Sequence, residues 1–219
     1  MKKEKKMKKK IIGFMVTGML VLVFGCVSTP ARAELSLALV GGYYSPNYGE
    51  INDDLDEMNT LLGTDLEFKA GMMYGLALGY DLPARFGLRL EYNSFESKTS
   101  DVLWADPTTR IDLEYKLTVT PLLLSLTYGF SPFYVGAGVG SFSTEYQYGV
   151  LIDTTLISES DSDSPTGLVL LAGFGFGGEP IFLNLEARYV VGTKAKLEDA
   201  DTEVDLSGLQ LSLLAGLKI

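Results

Sequence analysis

The chain has 219 residues, with 28 acidic against 18 basic side chains, a formal net charge of −10 and no histidine. So acidic a chain should not seek nucleic acid. Without histidine it cannot build serine–histidine or aspartate–histidine catalysis, and it lacks the commonest transition-metal ligand. No catalytic residue, cofactor or metal is therefore expected.

Residues 1–10 carry seven lysines and one glutamate, residues 11–24 form an apolar run too short for a transmembrane helix, and Ala31-Arg32-Ala33 follows as a cleavage pattern. These features read as a secretory signal peptide over residues 1–33, cut before Glu34. Val23-Phe24-Gly25-Cys26 loosely matches a lipoprotein box, with Phe24 a poor fit, so Cys26 either carries lipid or leaves with the signal. Cleavage lowers the basic count from 18 to 10 and the acidic count from 28 to 27, a net charge of −17 on 186 residues without cysteine. That length suits one domain, read over residues 34–219. No mature stretch is long and apolar enough for a membrane helix, so only a closed barrel could span a bilayer.

Period-2 alternation then recurs along the chain. Over residues 35–44, Leu35, Leu37, Leu39, Gly41 and Tyr43 share a face. A long polar segment, residues 45–67, carries Ile51, Leu55, Met58 and Leu62 at helical spacing, predicting a short amphipathic helix with Asn52 or Asp53 near its start. Residues 69–81 set Met72, Tyr74, Leu76, Leu78 and Tyr80 against Met73, Gly75, Ala77 and Gly79, and a turn at residues 82–85 leads to a strand over 86–97. There Phe86, Leu88, Leu90 and Tyr92 oppose Gly87, Arg89, Glu91 and Asn93. Residues 98–110 read as a second long loop holding Trp104.

The next strand, residues 111–130, switches its apolar face from odd to even positions at Pro121. Proline lacks the amide a central strand donates, so a bulge between Thr120 and Leu122 is expected, with the part before it projecting beyond the membrane. A short turn at Ser131-Pro132 leads to a strand over 133–148, then a third long loop over 149–165. Strands over 166–177 and 181–191 meet at a tight turn. The second sets Ile181, Leu183, Leu185, Ala187 and Tyr189 against Phe182, Asn184, Glu186 and Arg188. A charged fourth loop, 192–203, precedes a last strand over 205–219.

Eight strands joined alternately by long and short connections place both termini on the short-turn side. The turn-side aromatics Tyr80, Phe86, Tyr128, Phe130, Phe133, Phe176 and Phe182, and the loop-side Tyr43, Tyr74, Tyr92 and Tyr189, suggest two membrane interfaces. The expected fold is all-β: an eight-stranded antiparallel up-and-down transmembrane barrel with a short helix in the first outer loop. A soluble barrel would instead turn its apolar faces inward. Leucine-rich faces would fill so narrow a lumen badly, whereas glycines with Arg89, Glu91, Glu186 and Arg188 suit it.

On the segments Tyr134-Val-Gly-Ala-Gly-Val-Gly140, Leu183-Asn-Leu-Glu-Ala-Arg-Tyr189 and Leu206-Ser-Gly-Leu-Gln-Leu-Ser-Leu-Leu-Ala-Gly-Leu-Lys-Ile219, the mature chain resembles the small outer-membrane β-barrel family of the OmpA, OmpX and OmpW type. The resemblance implies an outer-membrane location in a diderm bacterium, contact with outer-membrane lipid and lipopolysaccharide, and insertion by the barrel-assembly machinery. That machinery commonly recognises a terminal aromatic, where this chain has Leu217 and Ile219. The resemblance specifies architecture well and activity badly.

An eight-stranded barrel is filled by its own side chains. The strands bearing Arg89 and Glu91, and Glu186 and Arg188, lie on opposite walls, so these four are expected to pair across the lumen, helped by Asn93 and Asn184. The network either seals the barrel or exchanges pairs to pass ions. Acidic loops (Glu50, Asp53, Asp54, Asp56 and Glu57; Glu198, Asp199, Asp201, Glu203 and Asp205) give solubility, bridge through divalent cations to lipopolysaccharide, or hold a basic partner. The expectation is a monomeric, non-enzymatic surface or structural barrel, with a narrow channel or solute conduit as the alternative and an outer-membrane enzyme third.

Overall fold

The computed structural model describes residues 34–105, 110–152, 155–197 and 202–219. The signal peptide, Cys26, Glu198, Asp199 and Asp201 lie outside them. Ten strands form: β1 Leu35–Asn47, β2 Gly71–Asp81, β3 Phe86–Ala105, β4 Arg110–Phe130, β5 Phe133–Ile152, β6 Thr155–Asp163, β7 Thr166–Gly177, β8 Ile181–Val191, β9 Lys194–Leu197 and β10 Thr202–Lys218. Among the described residues one α-helix, α1, spans Gly49–Leu62, and Pro83–Arg85 forms a single 3-10 turn. Eight strands make the ring in the order β1-β2-β3-β4-β5-β7-β8-β10, and antiparallel pairing of β10 with β1 closes it. Every backbone group in the ring then has a neighbour on both sides, as a bilayer requires. Lys218 ties the seam, lying 3.1 Å from Glu34 and 2.9 Å from Asp81.

The second, third and fourth segments expected as long loops are largely strand in their described residues. β3 and β4 continue to Ala105 and from Arg110, β5 runs on to Ile152 with β6 folded back along it, and β9 pairs with β10. Their outward faces are rich in Ser, Thr, Asp and Glu, which reads as loop when composition is weighed above period. The ladder nevertheless continues where β4, β5 and β9 bury an apolar inner face, with Leu113, Tyr146, Ala195 and Leu197 buried.

The expected bulge at Pro121 is absent. Tyr92 pairs with Leu122 and Phe95 with Val119, one unbroken register, and on the other side Pro121 sits opposite Phe142 without a shift. The β3–β4 register shifts instead between Val102 and Trp104. What changes at Pro121 is the surroundings, not the backbone. Before it the odd, inward residues Leu113, Leu117 and Val119 are buried; after it the even, outward residues Leu122 and Leu126 are 43% and 47% exposed. The apolar face follows the apolar medium, which is protein interior on the loop side and lipid around the ring.

Outward leucines and aromatics encircle the ring, and the turn-side rings touch one another, Phe86 against Tyr128 at 5.1 Å and Phe133 against Phe174 at 5.0 Å. Phe182 does not join this belt. It shares the inner face of β8 with Asn184 and Glu186 and lines the lumen, where its ring lies against the Cα side of Gly216.

On the loop side α1 packs Ile51 and Leu55 into a core with Tyr44, Phe68, Phe95, Leu117, Phe142 and Leu206. The helix starts earlier than the Asn52 signal suggests, at Gly49 after Tyr48, and ends on Gly63 with φ 70°. Asn52 caps nothing. Its side-chain amide accepts from the Phe68 amide at 2.9 Å and donates to the Phe68 carbonyl at 3.1 Å, and Asn59 does the same with Leu66, both at 2.9 Å.

Candidate functional site

Three layers fill the lumen. Nearest the short turns is an open cavity of about 730 Å³, lined by Ser36, Arg85, Thr127, Phe182, Asn184 and Lys218 among others, with Arg89 and Tyr134 at its inner end. Small residues leave this space, among them Ala38 on β1, Ala77 and Gly79 on β2 and Gly175 on β7.

Arg89 closes this cavity as part of a ring of four charges. β3 places Arg89 and Glu91 inward and β8 places Glu186 and Arg188 inward, since both strands alternate with period 2. Arg89 Nε lies 2.7 Å from Glu91, and its two terminal nitrogens lie 2.5 and 2.9 Å from the two oxygens of Glu186. Arg188 Nε lies 2.6 Å from Glu186, and Nη1 lies 2.7 Å from Glu91. Each charge therefore touches both opposite charges. Glu91, Glu186 and Arg188 are buried, while the Arg89 side chain keeps 11% of its surface toward the cavity. A lone buried ion costs on the order of several kcal/mol, so the closed ring is the arrangement that keeps all four ionised.

Asn93 stands above the ring and donates to Glu91 at 3.5 Å. Asn184 lies on the turn side, in the cavity wall beside Gly175, rather than among the four charges. Sequence reasoning missed Tyr134, whose hydroxyl donates to Glu186 at 2.5 Å. Tyr134, Gly173 and Glu186 form one row across β5, β7 and β8. A Cβ on Gly173 would collide with the Tyr134 ring, so that glycine leaves the gap through which the phenol reaches Glu186. The signal was present as an inward Tyr separated from an inward Glu by an inward Gly, but reading it needs the register between β5 and β7.

Beside the charges, Ser125 opposite Arg89, Ser212 opposite Glu186 and Gln210 opposite Arg188 bring further buried polar groups, and over them sits the loop-side core. Its rings run in a chain, Tyr48 to Phe68 at 5.8 Å, Phe68 to Tyr146 at 6.2 Å and Tyr146 to Tyr115 at 6.2 Å. Burial pushes the phenols of Tyr48 and Tyr146 above their ordinary range, as expected where the charged form cannot be solvated. Among the described residues no cluster of His, Cys, Asp or Glu is arranged to hold a metal ion. Asp161 and Asp163, two carboxylates close in sequence, are half-buried on β6, and Asp163 accepts from the Lys196 amide at 3.0 Å.

A family model described as an outer membrane protein beta-barrel domain matches residues 18–215. A comparison with curated proteins finds no match. Among solved structures, the outer membrane protein OprG from Pseudomonas aeruginosa aligns at 16% identity with a TM-score of 0.49, over 85% of this chain and 96% of that one. Ail, the attachment invasion locus protein of Yersinia pestis, solved with the heparin analogue sucrose octasulfate, aligns at 14% and 0.43, over 85% and 97%. The Escherichia coli outer membrane protease OmpT aligns at 11% and 0.30, over 85% and 94%. With a closed eight-stranded ring, lipid-facing leucines and a family match over nearly the whole chain, this protein belongs to the outer membrane β-barrel family.

Proposed function

We propose that the chain is a plugged, non-enzymatic barrel that anchors its loop-side arms at the cell surface. The observation that carries this reading is the ring of Arg89, Glu91, Glu186 and Arg188, shut on one side by paired charges and roofed on the other by an apolar core. An ion crossing would have to break charge pairs and then pass packed aromatic rings. Export through residues 1–33, insertion by the barrel-assembly machinery, contact with outer-membrane lipid and lipopolysaccharide, and a monomeric state complete the reading. The outward leucines and the two aromatic belts support the lipid contact. The test is planar-bilayer conductance of refolded protein beside Arg89→Ala. Silence is expected from the wild type, and defined conductance steps in it would replace the plug with a narrow channel.

A further inference from the structure

Above the membrane, β3, β4, β5 and β6 form a four-stranded sheet whose inner face extends beyond the core. Direct pairing puts Trp104, Ile111 and Ile152 in one row on that face, and Leu113, Val150 and Ile157 in the next. Trp104 is 58% exposed, Ile152 38% and Ile157 63%. The last turn of α1 stands beside this face. Met58 touches Tyr115, and Leu62, one turn further on, is exposed, as is Leu61. Large apolar side chains clustered in water outside the lipid mark a binding surface.

The flanks of the same face are acidic. Asp101, on β3, sits opposite Leu113, while β6 contributes Glu159 opposite Tyr148 and Asp161 opposite Tyr146. The apolar rows therefore step across the sheet from Trp104 on β3 to Ile157 on β6, and the carboxylates lie on the ring side of them along the same two edge strands. A second copy would bring these carboxylates against themselves, and an anionic glycan or nucleic acid would be repelled.

We infer that the inner face of the β3–β6 sheet docks a cationic amphipathic polypeptide segment, whose apolar side chains cover Trp104, Ile111, Ile152 and Ile157 and whose lysines or arginines meet Asp101, Glu159 and Asp161. This rests on the reading of the arms as presented at the cell surface and names the chemistry of what they hold. Such a segment matches the face in both pattern and sign, and the carboxylates would steer its approach.

Trp104 is the only tryptophan in the sequence, so it reports directly on this face. Full-length protein refolded into zwitterionic nanodiscs is titrated with a short tryptophan-free peptide of alternating leucine and lysine, and in parallel with its leucine–glutamate counterpart. The lysine peptide is expected to shift Trp104 emission to the blue and shield it from acrylamide, the glutamate peptide to do neither, and added salt to weaken the effect. Ile152→Ser combined with Ile157→Ser is expected to weaken binding about tenfold or more, and Glu159→Gln with Asp161→Asn to remove the salt dependence. Equal shifts from both peptides, no shift from either, or unchanged affinity in the isoleucine variant would overturn the proposal. So would a concentration-dependent shift without peptide, which would seat a second copy there. Conductance on the same refolded protein reports the plug independently, so the two readings fail separately.

Discussion

At the scale of single residues the lumen is governed by what must be neutralised and what must be left empty. Arg89 makes three contacts to two carboxylates, so Arg89→Ala leaves Glu91 and Glu186 to share the charge of Arg188, with only the Tyr134 hydroxyl added at Glu186, and buries excess negative charge. Removing one partner of a buried ion network costs about 3–5 kcal/mol, whereas replacing both by apolar groups costs far less. Urea unfolding in lipid vesicles is therefore expected to show a large loss for Arg89→Leu and for Glu186→Leu singly, and a double variant milder than their sum. Simple additivity would mean the charges act independently. Gly173 makes the opposite demand. Gly173→Val drives a side chain into the Tyr134 ring and is expected to break the hydrogen bond to Glu186 and lower the folded yield. Gly41→Ala, whose added carbon meets nothing within 4 Å, should leave both unchanged.

At the scale of elements α1 is held as much by two asparagines as by its greasy stripe. Asn52 and Asn59 lie two turns apart, and each presents an amide that pairs with a backbone amide and carbonyl of the returning segment, at Phe68 and at Leu66. Leaving such buried backbone groups unpaired costs roughly 1–3 kcal/mol each. Asn52→Ala with Asn59→Ala is thus expected to expose the segment after Gly63 to protease in intact discs, while the ring stays resistant. Equal resistance in wild type and variant would show that apolar packing alone holds the helix. The helix itself was legible, because Ile51, Leu55 and Met58 recur at 3.6-residue spacing. The role of Asn52 was not, because an asparagine near a helix start is read locally as a cap, and its true partner lies 16 residues away. The arms were hidden in a similar manner. Segments such as 155–163 look like solvated loop until one sees that each residue pairs with a neighbour on β5.

At the scale of the whole molecule one backbone crosses two solvents, and the rule for where apolar residues point inverts between them. The ring itself was legible from alternation, because a bilayer tolerates little else and each strand repeats the signal. The four-charge ring was half legible, since opposite walls follow from strand count while the Tyr134 contact depends on register. The parity change at Pro121 was visible yet misread as a bulge, because a sequence records which face is apolar but not which medium that face meets. The inversion makes a sharp demand on β4, where Leu117 is fully buried on the inner face and Leu126 stands 47% exposed on the outer one. Leu117→Ala opens a cavity in a packed protein core and is expected to cost about 2–5 kcal/mol. Leu126→Ala only exchanges side-chain atoms for lipid tails and should cost much less. Introducing lysine reverses the contrast in kind: at position 126 the charge meets hydrocarbon at a depth-dependent cost of up to about 2–4 kcal/mol. Outward-facing Thr118, beyond the belt and beside Glu145, should accept lysine almost without loss. Unfolding free energies of the four variants in one lipid would decide the matter. Comparable costs for Leu117→Ala and Leu126→Ala would place both leucines in the same medium and put the change of solvent somewhere other than Pro121.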